Sequence, residues 1–371
     1  MKLGILCTMI NGFGRRGYYN SQEVGLAKAL ADLGHEVVVY KGVLDGEKED
    51  TVSVYHDVKV QYMHMRHVGA HGIMRCSKMD KDIKGLLCFA DEQLFLLHVY
   101  HFCQRNGIVF VPYIGIAHSV NNDLKGKISD WLFHRGTLRI YRKRPVICKT
   151  WQAMEELGKL GVQDMRIAPV GLDVTVLKKN FDGVDRNELR KQYGYGPDDI
   201  ILLNISRLVP EKRILELITL LDEIKDRKNF KLLLIGKGEL RRVIDDKIKK
   251  LHLTNIVQII DQIPYEKMWE IYTISDYYLG MNTGEIFGMA IMEAVYYETS
   301  VASRNGQGPS LILKNMKGHK LCENDAEIKQ WICGLYPSKE ELVASSHKVI
   351  EEFSWKKCAE TFTALVLTQQ R

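Results

Sequence analysis

Short apolar runs alternate along the chain with longer segments whose apolar residues recur at helical spacing. The first run, residues 3–7, precedes a glycine-containing loop. Over 23–33, Val24, Leu26, Ala27, Leu30 and Leu33 fall near one helical face, Gly34 stops the helix, and 37–40 forms the next strand. This β-loop-α-β order predicts a parallel sheet, to which 108–111 and 146–148 add strands. A second series begins at 200–205. It continues as helix 214–224, strand 231–235, helix 240–251, strand 257–260, helix 267–274, strand 277–281 and helix 288–297. Pro169 and Gly171 punctuate the join. Two α/β units in series are expected, with ligands at the C-terminal ends of their strands and a cleft where two such domains face each other.

Charge adds a second pattern. The chain has 371 residues, with 52 basic and 46 acidic side chains, net +6. Residues 1–170 hold 23 basic against 17 acidic residues and carry all of that excess, while 171–371 balance at 29 and 29. Residues 125–149 alone carry eight basic residues against Asp130. No stretch approaches the ~20 apolar residues of a membrane span, and the N-terminus does not read as a signal peptide. Eight cysteines lie scattered without a C-x-x-C pair, which suits reduced, buried thiols in a cytosolic protein.

Gly12-Phe13-Gly14-Arg15-Arg16-Gly17 fits G-x-G-x-x-G, the dinucleotide-binding pattern. Its setting fits poorly: four residues separate it from the strand, 18–21 delay the helix, and the second strand ends at Tyr40-Lys41 without a ribose-binding carboxylate. Lys41 keeps an NADP reading open. The alternatives are a loop whose backbone N–H groups approach a phosphate, or a plain surface turn.

In the second half, Ser206-Arg207-Leu208-Val209-Pro210-Glu211-Lys212 follows a strand, and two cations there suit a diphosphate. Gly236-Lys237-Gly238 follows the next strand. Glu285-Ile286-Phe287-Gly288 then precedes a helix holding Glu293 a turn and a half inside, and free N–H groups near Gly288 form an anion site. A glutamate near a helix start also complements the helix dipole.

Taken in order, Arg207-Leu208-x-x-x-Lys212, Gly236-x-Gly238 and Glu285-x-Phe287-Gly288-x-x-x-x-Glu293 resemble the GT-B retaining glycosyltransferases of the GT4 family, the last being that family's E-x7-E. The 26–37 segment is similar to the family's opening, 150–173 to its domain junction and Phe353-Ser354-Trp355 to its C-terminal return. The resemblance implies an α/β GT-B fold: two Rossmann-like domains facing each other across a cleft. Residues 1–171, joined by a helix at 353–371, would form the acceptor side, and 172–352 the nucleotide-sugar side. By the same resemblance Arg207 and Lys212 bind the donor diphosphate and stabilise the leaving nucleotide. Glu285 contacts sugar hydroxyls, Phe287, Gly288 and Met289 hold sugar or phosphate through their backbone, and Glu293 takes the ribose hydroxyls. Gly236 and Ile263 flank the base, Gly12 and Gly14 approach the phosphate, and His118 faces the reacting sugar. No metal and no cofactor are implied, since the nucleotide-sugar is a substrate. A UDP-sugar is the expected donor, GDP-mannose the second, and a saccharide or lipid-linked acceptor in surface polysaccharide or glycolipid synthesis the expected receiver. A nucleotide-sugar epimerase, an NADP-dependent oxidoreductase and a non-catalytic sugar-binding relative are the alternatives. Glu298, Ser300, Arg213, Ser206 and Ser310 depart from the family's usual residues.

Three remaining patterns carry weaker chemistry. His64, His67 and His71 suit metal only in part, because Gly69 and Gly72 interrupt a helix, and a loop is expected. Asp80-Lys81-Asp82 has the D-x-D form but lies among charges, which predicts a solvated helix face. Trp151 reads as core. The basic segment, with Arg135, Arg139, Arg142, Lys143 and Arg144 beside Trp131, Leu132 and Phe133, is either a solvated helix face with its apolar residues inward or a patch for an anionic membrane surface. The second reading places the protein in the cytoplasm, peripheral on the inner face of the membrane. Nucleic acid is not an expected partner, and oligomeric state is not legible.

Overall fold

The computed structural model describes residues 1–9, 21–43, 46–69, 71–91, 93–118, 124–177 and 184–370. They group into two compact units. One holds the described residues up to Asp173 and from Phe353 onward, the other those between Val174 and Glu352. Gly12 and Gly14 lie outside the described residues.

In the first unit the strand Lys2–Cys7 is buried along almost its whole length, as its unbroken apolar run requires of a strand covered on both faces. It pairs in parallel with Glu36–Gly42 on one side and Gly85–Phe89 on the other. Across the sheet the order is Met165–Ile167, Val146–Cys148, Val109–Ile114, Gly85–Phe89, Lys2–Cys7, Glu36–Gly42, Val58–Met63, Asp50–Tyr55. Only Asp50–Tyr55 runs antiparallel to its neighbour. The helix Gln22–Asp32 buries Leu26, Ala27 and Leu30 completely. The closing helix Trp355–Gln369 reaches it through Gly25, where a Cβ would meet Trp355 Nε1 at 2.4 Å. Lys28 Nζ fastens Asp173 at 2.8 Å beside this contact.

The second unit is a six-stranded, wholly parallel sheet in the order Val257–Ile260, Phe230–Ile235, Ile200–Ile205, Tyr277–Gly280, Ser300–Arg304, Lys320–Cys322. Helices such as Ile214–Ile224, which buries Ile214, Leu217, Ile218 and Leu221 fully, pack on it. Strand order reverses between Ile200–Ile205 and Tyr277–Gly280, and such a reversal opens a crevice at the strands' C-terminal ends.

Several expectations are corrected here. Arg66–Val68 pairs antiparallel with His71–Ile73 rather than lying in a loop, and a further bridge from His71 to Met9 helps satisfy the backbone. Among the described residues no group of histidine, cysteine or carboxylate side chains could hold a metal ion. Asp80 and Asp82 lie on no helix; they flank Lys2 Nζ at 2.9 and 3.0 Å at the start of the first strand. Trp151 is not core but 63% exposed, at the first turn of the helix Trp151–Lys159 that Thr150 Oγ1 caps. The basic segment holds the helix Leu124–Arg135, a short helix Leu138–Tyr141 and the strand Val146–Cys148. Phe133 turns inward there, whereas Trp131 and Leu132 face outward. The eight cysteines are free, and burial pushes the thiols of Cys7, Cys103 and Cys148 up to about 12. No helix among the described residues is long and apolar enough to cross a membrane.

The departures at Glu298 and Arg213 have a backbone meaning. The helix Met289–Tyr296 ends in paired bonds, Thr299 N–H to the Ala294 carbonyl at 2.9 Å and Glu298 N–H to the Val295 carbonyl at 3.1 Å. This closure puts Glu298 in the left-handed region, φ 62°, where glycine is favoured. Glu298→Gly removes that strain and is expected to raise stability by up to about 1 kcal/mol, read as a higher Tm. Arg213 is likewise left-handed, φ 52°, but its guanidinium pairs with Asp325 at 2.9 Å, a bond that glycine would forfeit.

Candidate active site

All strands of the second sheet point the same way, so residues just past their ends collect along one edge. Ile263 follows Val257–Ile260, Gly236 ends Phe230–Ile235, Arg207 follows Ile200–Ile205, and Glu285 follows Tyr277–Gly280. These four strands are consecutive neighbours. Residues that the sequence separates by up to 78 positions therefore share one edge, on both sides of the order reversal.

Lys212 and Glu285 meet there, Nζ to Oε2 at 2.6 Å, with both side chains partly exposed. Asn282 Nδ2 donates to the same oxygen at 3.0 Å, and its Oδ1 accepts the Gly284 N–H at 2.9 Å. Sequence reading missed Asn282, whose role as the brace of Glu285 depends on the turn. Arg207 is 61% exposed and its guanidinium reaches Glu211 at 3.3 Å, a surface pair of small worth that leaves the fork accessible.

Gly236 explains the position of the Arg207 loop. Its φ is 151°, and a Cβ would meet the Ser206 carbonyl oxygen at 1.8 Å. The Leu208 N–H donates to the Lys237 carbonyl at 2.9 Å, so the two loops lie backbone on backbone. Ile263 and Phe287 are buried. Gly288 takes φ 93° as the residue before Met289–Tyr296, and the turn leaves Met289 at the helix start.

Glu293 lies on the second turn of that helix and is 6% exposed. Tyr265 donates its hydroxyl to Oε1 at 2.9 Å and Tyr272 to Oε2 at 2.8 Å. Burial pushes the carboxyl up to about 7, against the opposing pull of these two hydrogen bonds. A carboxylate oxygen accepts more than one hydrogen bond, so two tyrosines do not exhaust it. The tyrosines, 28 and 21 residues upstream, were not found from sequence, and their seven-residue spacing was the available signal.

His118, in the first unit, is half-exposed and its Nδ1 contacts Glu156 Oε1 on the helix Trp151–Lys159. Of the basic residues, Arg135 lies 5.3 Å over the Trp131 ring. Arg142 Nε donates to the Leu160 carbonyl at 2.9 Å, and Arg144 Nε to the Tyr100 hydroxyl at 3.3 Å. Arg139 and Lys143 are exposed. The five cations are thus not one free patch, since Arg142 and Arg144 are tied to the body of the unit.

Residues 185–352 match the family of glycosyl transferases group 1. The chain carries a group 1 glycosyltransferase domain. An uncharacterised glycosyltransferase of Methanocaldococcus jannaschii is 22% identical over 90% of each chain. The lipopolysaccharide 1,2-N-acetylglucosaminetransferase of Salmonella typhimurium is 26% identical over 55% of this chain and 56% of its own length. Among solved structures, Anabaena HepE in complex with UDP-glucose superposes with a TM-score of 0.72 at 16% identity, covering 99% of this glycosyltransferase and 100% of that chain. The fold is GT-B, as the parallel sheets of the two units and these neighbours establish.

Proposed function

We propose that this glycosyltransferase is a retaining, metal-independent hexosyltransferase. It moves a sugar from a nucleotide-diphosphate sugar, a UDP-sugar ahead of GDP-mannose as the donor's identity, to a saccharide or lipid-linked acceptor in surface polysaccharide or glycolipid synthesis. The observation that carries the reading is the 2.6 Å contact of Lys212 with Glu285 at the strand-order reversal of the second sheet, beside the exposed Arg207. UDP-glucose in the Anabaena neighbour and the lipopolysaccharide acceptor of the Salmonella relative support the donor and acceptor classes.

On this reading Arg207 and Lys212 neutralise the diphosphate as the glycosidic C–O bond breaks and its electron pair passes to the leaving phosphate oxygen. The acceptor oxygen attacks the same face of the sugar and its proton goes to that phosphate oxygen, so no protein nucleophile and no metal take part. Glu285 holds sugar hydroxyls, Glu293 the ribose hydroxyls, and Gly236 and Ile263 flank the base. Phe287, Gly288 and Met289 supply backbone N–H groups, and His118 faces the reacting sugar. A thermal-shift panel of UDP, GDP, ADP and their sugars tests the donor. A UDP-sugar at 100 times its Kd stabilises the fold by about 2.7 kcal/mol, and no shift with any nucleotide would refute the reading.

An anionic membrane surface on the cytoplasmic side is the proposed docking partner. Leu124, Ile128, Trp131 and Leu132 are exposed along the helix Leu124–Arg135, and Arg135 and Arg139 lie beside them. Apolar side chains next to cations suit insertion among anionic headgroups. The double variant W131S/R135E is expected to lower sedimentation with phosphatidylglycerol vesicles at least tenfold while leaving donor binding unchanged. Equal sedimentation would remove the membrane from the account.

A further inference from the structure

The first unit contains a buried carboxylate that the proposed chemistry does not use. Asp91 follows the strand Gly85–Phe89 and is 7% exposed. Its Oδ1 accepts the backbone N–H of Gly115, and its Oδ2 the ammonium of Lys149. Lys149 is itself 5% exposed and lies 5.1 Å from the Tyr113 ring centre and 5.5 Å from that of Phe89. Taking these two charges out of water is costly unless each is fully partnered. Both Asp91 oxygens are partnered here, and the low-dielectric surroundings stiffen the contacts.

The two groups that Asp91 grips begin two different arms. Gly115 leaves the strand Val109–Ile114 and leads, three residues on, to His118. Lys149 leaves the strand Val146–Cys148 and leads into the helix Trp151–Lys159, which carries Glu156. The Lys149 N–H also donates to the Ile114 carbonyl at 2.8 Å, so the arms are joined at their roots. At their tips His118 and Glu156 meet.

We infer that Asp91 is a positioning residue that sets the His118–Glu156 pair by holding the Gly115 and Lys149 arms in register. The inference rests on the reading of His118 as a site residue only for its consequence in catalysis; the geometry stands without it. Buried contacts that lock the roots of both arms fix the side chains at their ends within a fraction of an ångström, where a loose arm would not.

The test needs no substrate. In full-length protein labelled with 15N-histidine, the His118 imidazole signals are identified by their loss in H118A. E156Q is expected to move them to the positions of an unpaired ring. D91N keeps an acceptor for Gly115 but cannot neutralise Lys149, and is expected to move them at least half as far. The variant D91N/K149M, which removes both charges and guards against failure of D91N to fold, is expected to do the same. K41M breaks another buried ion pair of this unit, Lys41 with Glu23 at 2.5 Å, and should leave the signals in place. His118 signals unmoved in folded D91N or D91N/K149M would overturn the inference, as would signals unmoved in E156Q. Failure of the donor panel would instead count against the proposed function.

Discussion

Lys212→Ala lowers kcat by about 10²–10³, with donor KM within about threefold of the parent. The ammonium is partly exposed, at the reversal of strand order, and already in contact with Glu285 at 2.6 Å. In the ground state a bound diphosphate shares its charge among several donors, so one lost cation costs modest affinity. On the proposed reading the leaving phosphate gains charge beside Lys212 at the transition state, and the loss is felt most there. Steady-state kinetics of nucleotide release separate the two effects. A raised KM with unchanged kcat would show that Lys212 only binds. Arg207 is more exposed than Lys212 and its ion pair is longer, so it should contribute less than Lys212.

The second large effect belongs to Glu293. Its carboxyl titrates near 7 rather than near 4.5 because burial disfavours the charge. A carboxyl raised in the folded state gives stability that is complete below the unfolded value and is lost as pH rises to the folded value. Between about pH 4.5 and 7 this group alone therefore lowers stability by roughly 3 kcal/mol. Glu293→Gln keeps an acceptor for one tyrosine and cannot ionise, so its stability should not show that decline. Urea unfolding of parent and variant from pH 5 to 8 isolates the difference. The hydroxyls of Tyr265 and Tyr272 hydrogen-bond the carboxyl, and Tyr297 is stacked 5.2 Å from Tyr272; burial holds the Tyr272 and Tyr297 hydroxyls well above this window. On the proposed reading the ribose hydroxyls donate to Glu293, and best to its ionised form, so donor affinity should rise as pH rises through about 7 and be flat in E293Q. Glu293→Ala removes the carboxylate acceptor that Tyr265 and Tyr272 share, at about 1 kcal/mol for each lost hydrogen bond, and should weaken the nucleotide-sugar complex further.

Much of the architecture could be read before any coordinates. Strands such as Ile200–Ile205 and Phe230–Ile235 are covered on both faces, so burial writes itself as continuous apolar residues with helical periods between. The motif residues Lys212 and Glu285 could be named from spacing, but their contact could not, because 73 residues separate them. The same limit hid the pairing of Asp91 with Lys149, 58 residues apart. Exposed segments were least legible. The paired strands Arg66–Val68 and His71–Ile73 are too short for a period, and a small rotation of Leu124–Arg135 decides whether Trp131 or Phe133 faces the core. At Glu298 and Arg213 side-chain identity concealed left-handed backbone that glycine would have announced.

Time-resolved proton NMR of the protein with UDP-glucose, UDP-N-acetylglucosamine, UDP-galactose and GDP-mannose, in water without added metal, bears most directly on the central claim. The account predicts that a UDP-sugar is consumed, that the first sugar released keeps the donor's α configuration, and that Lys212→Ala slows this at least 100-fold, in line with its place at the leaving phosphate. Release of the β anomer, consumption of no nucleotide-sugar, or turnover by Lys212→Ala equal to the parent would contradict it.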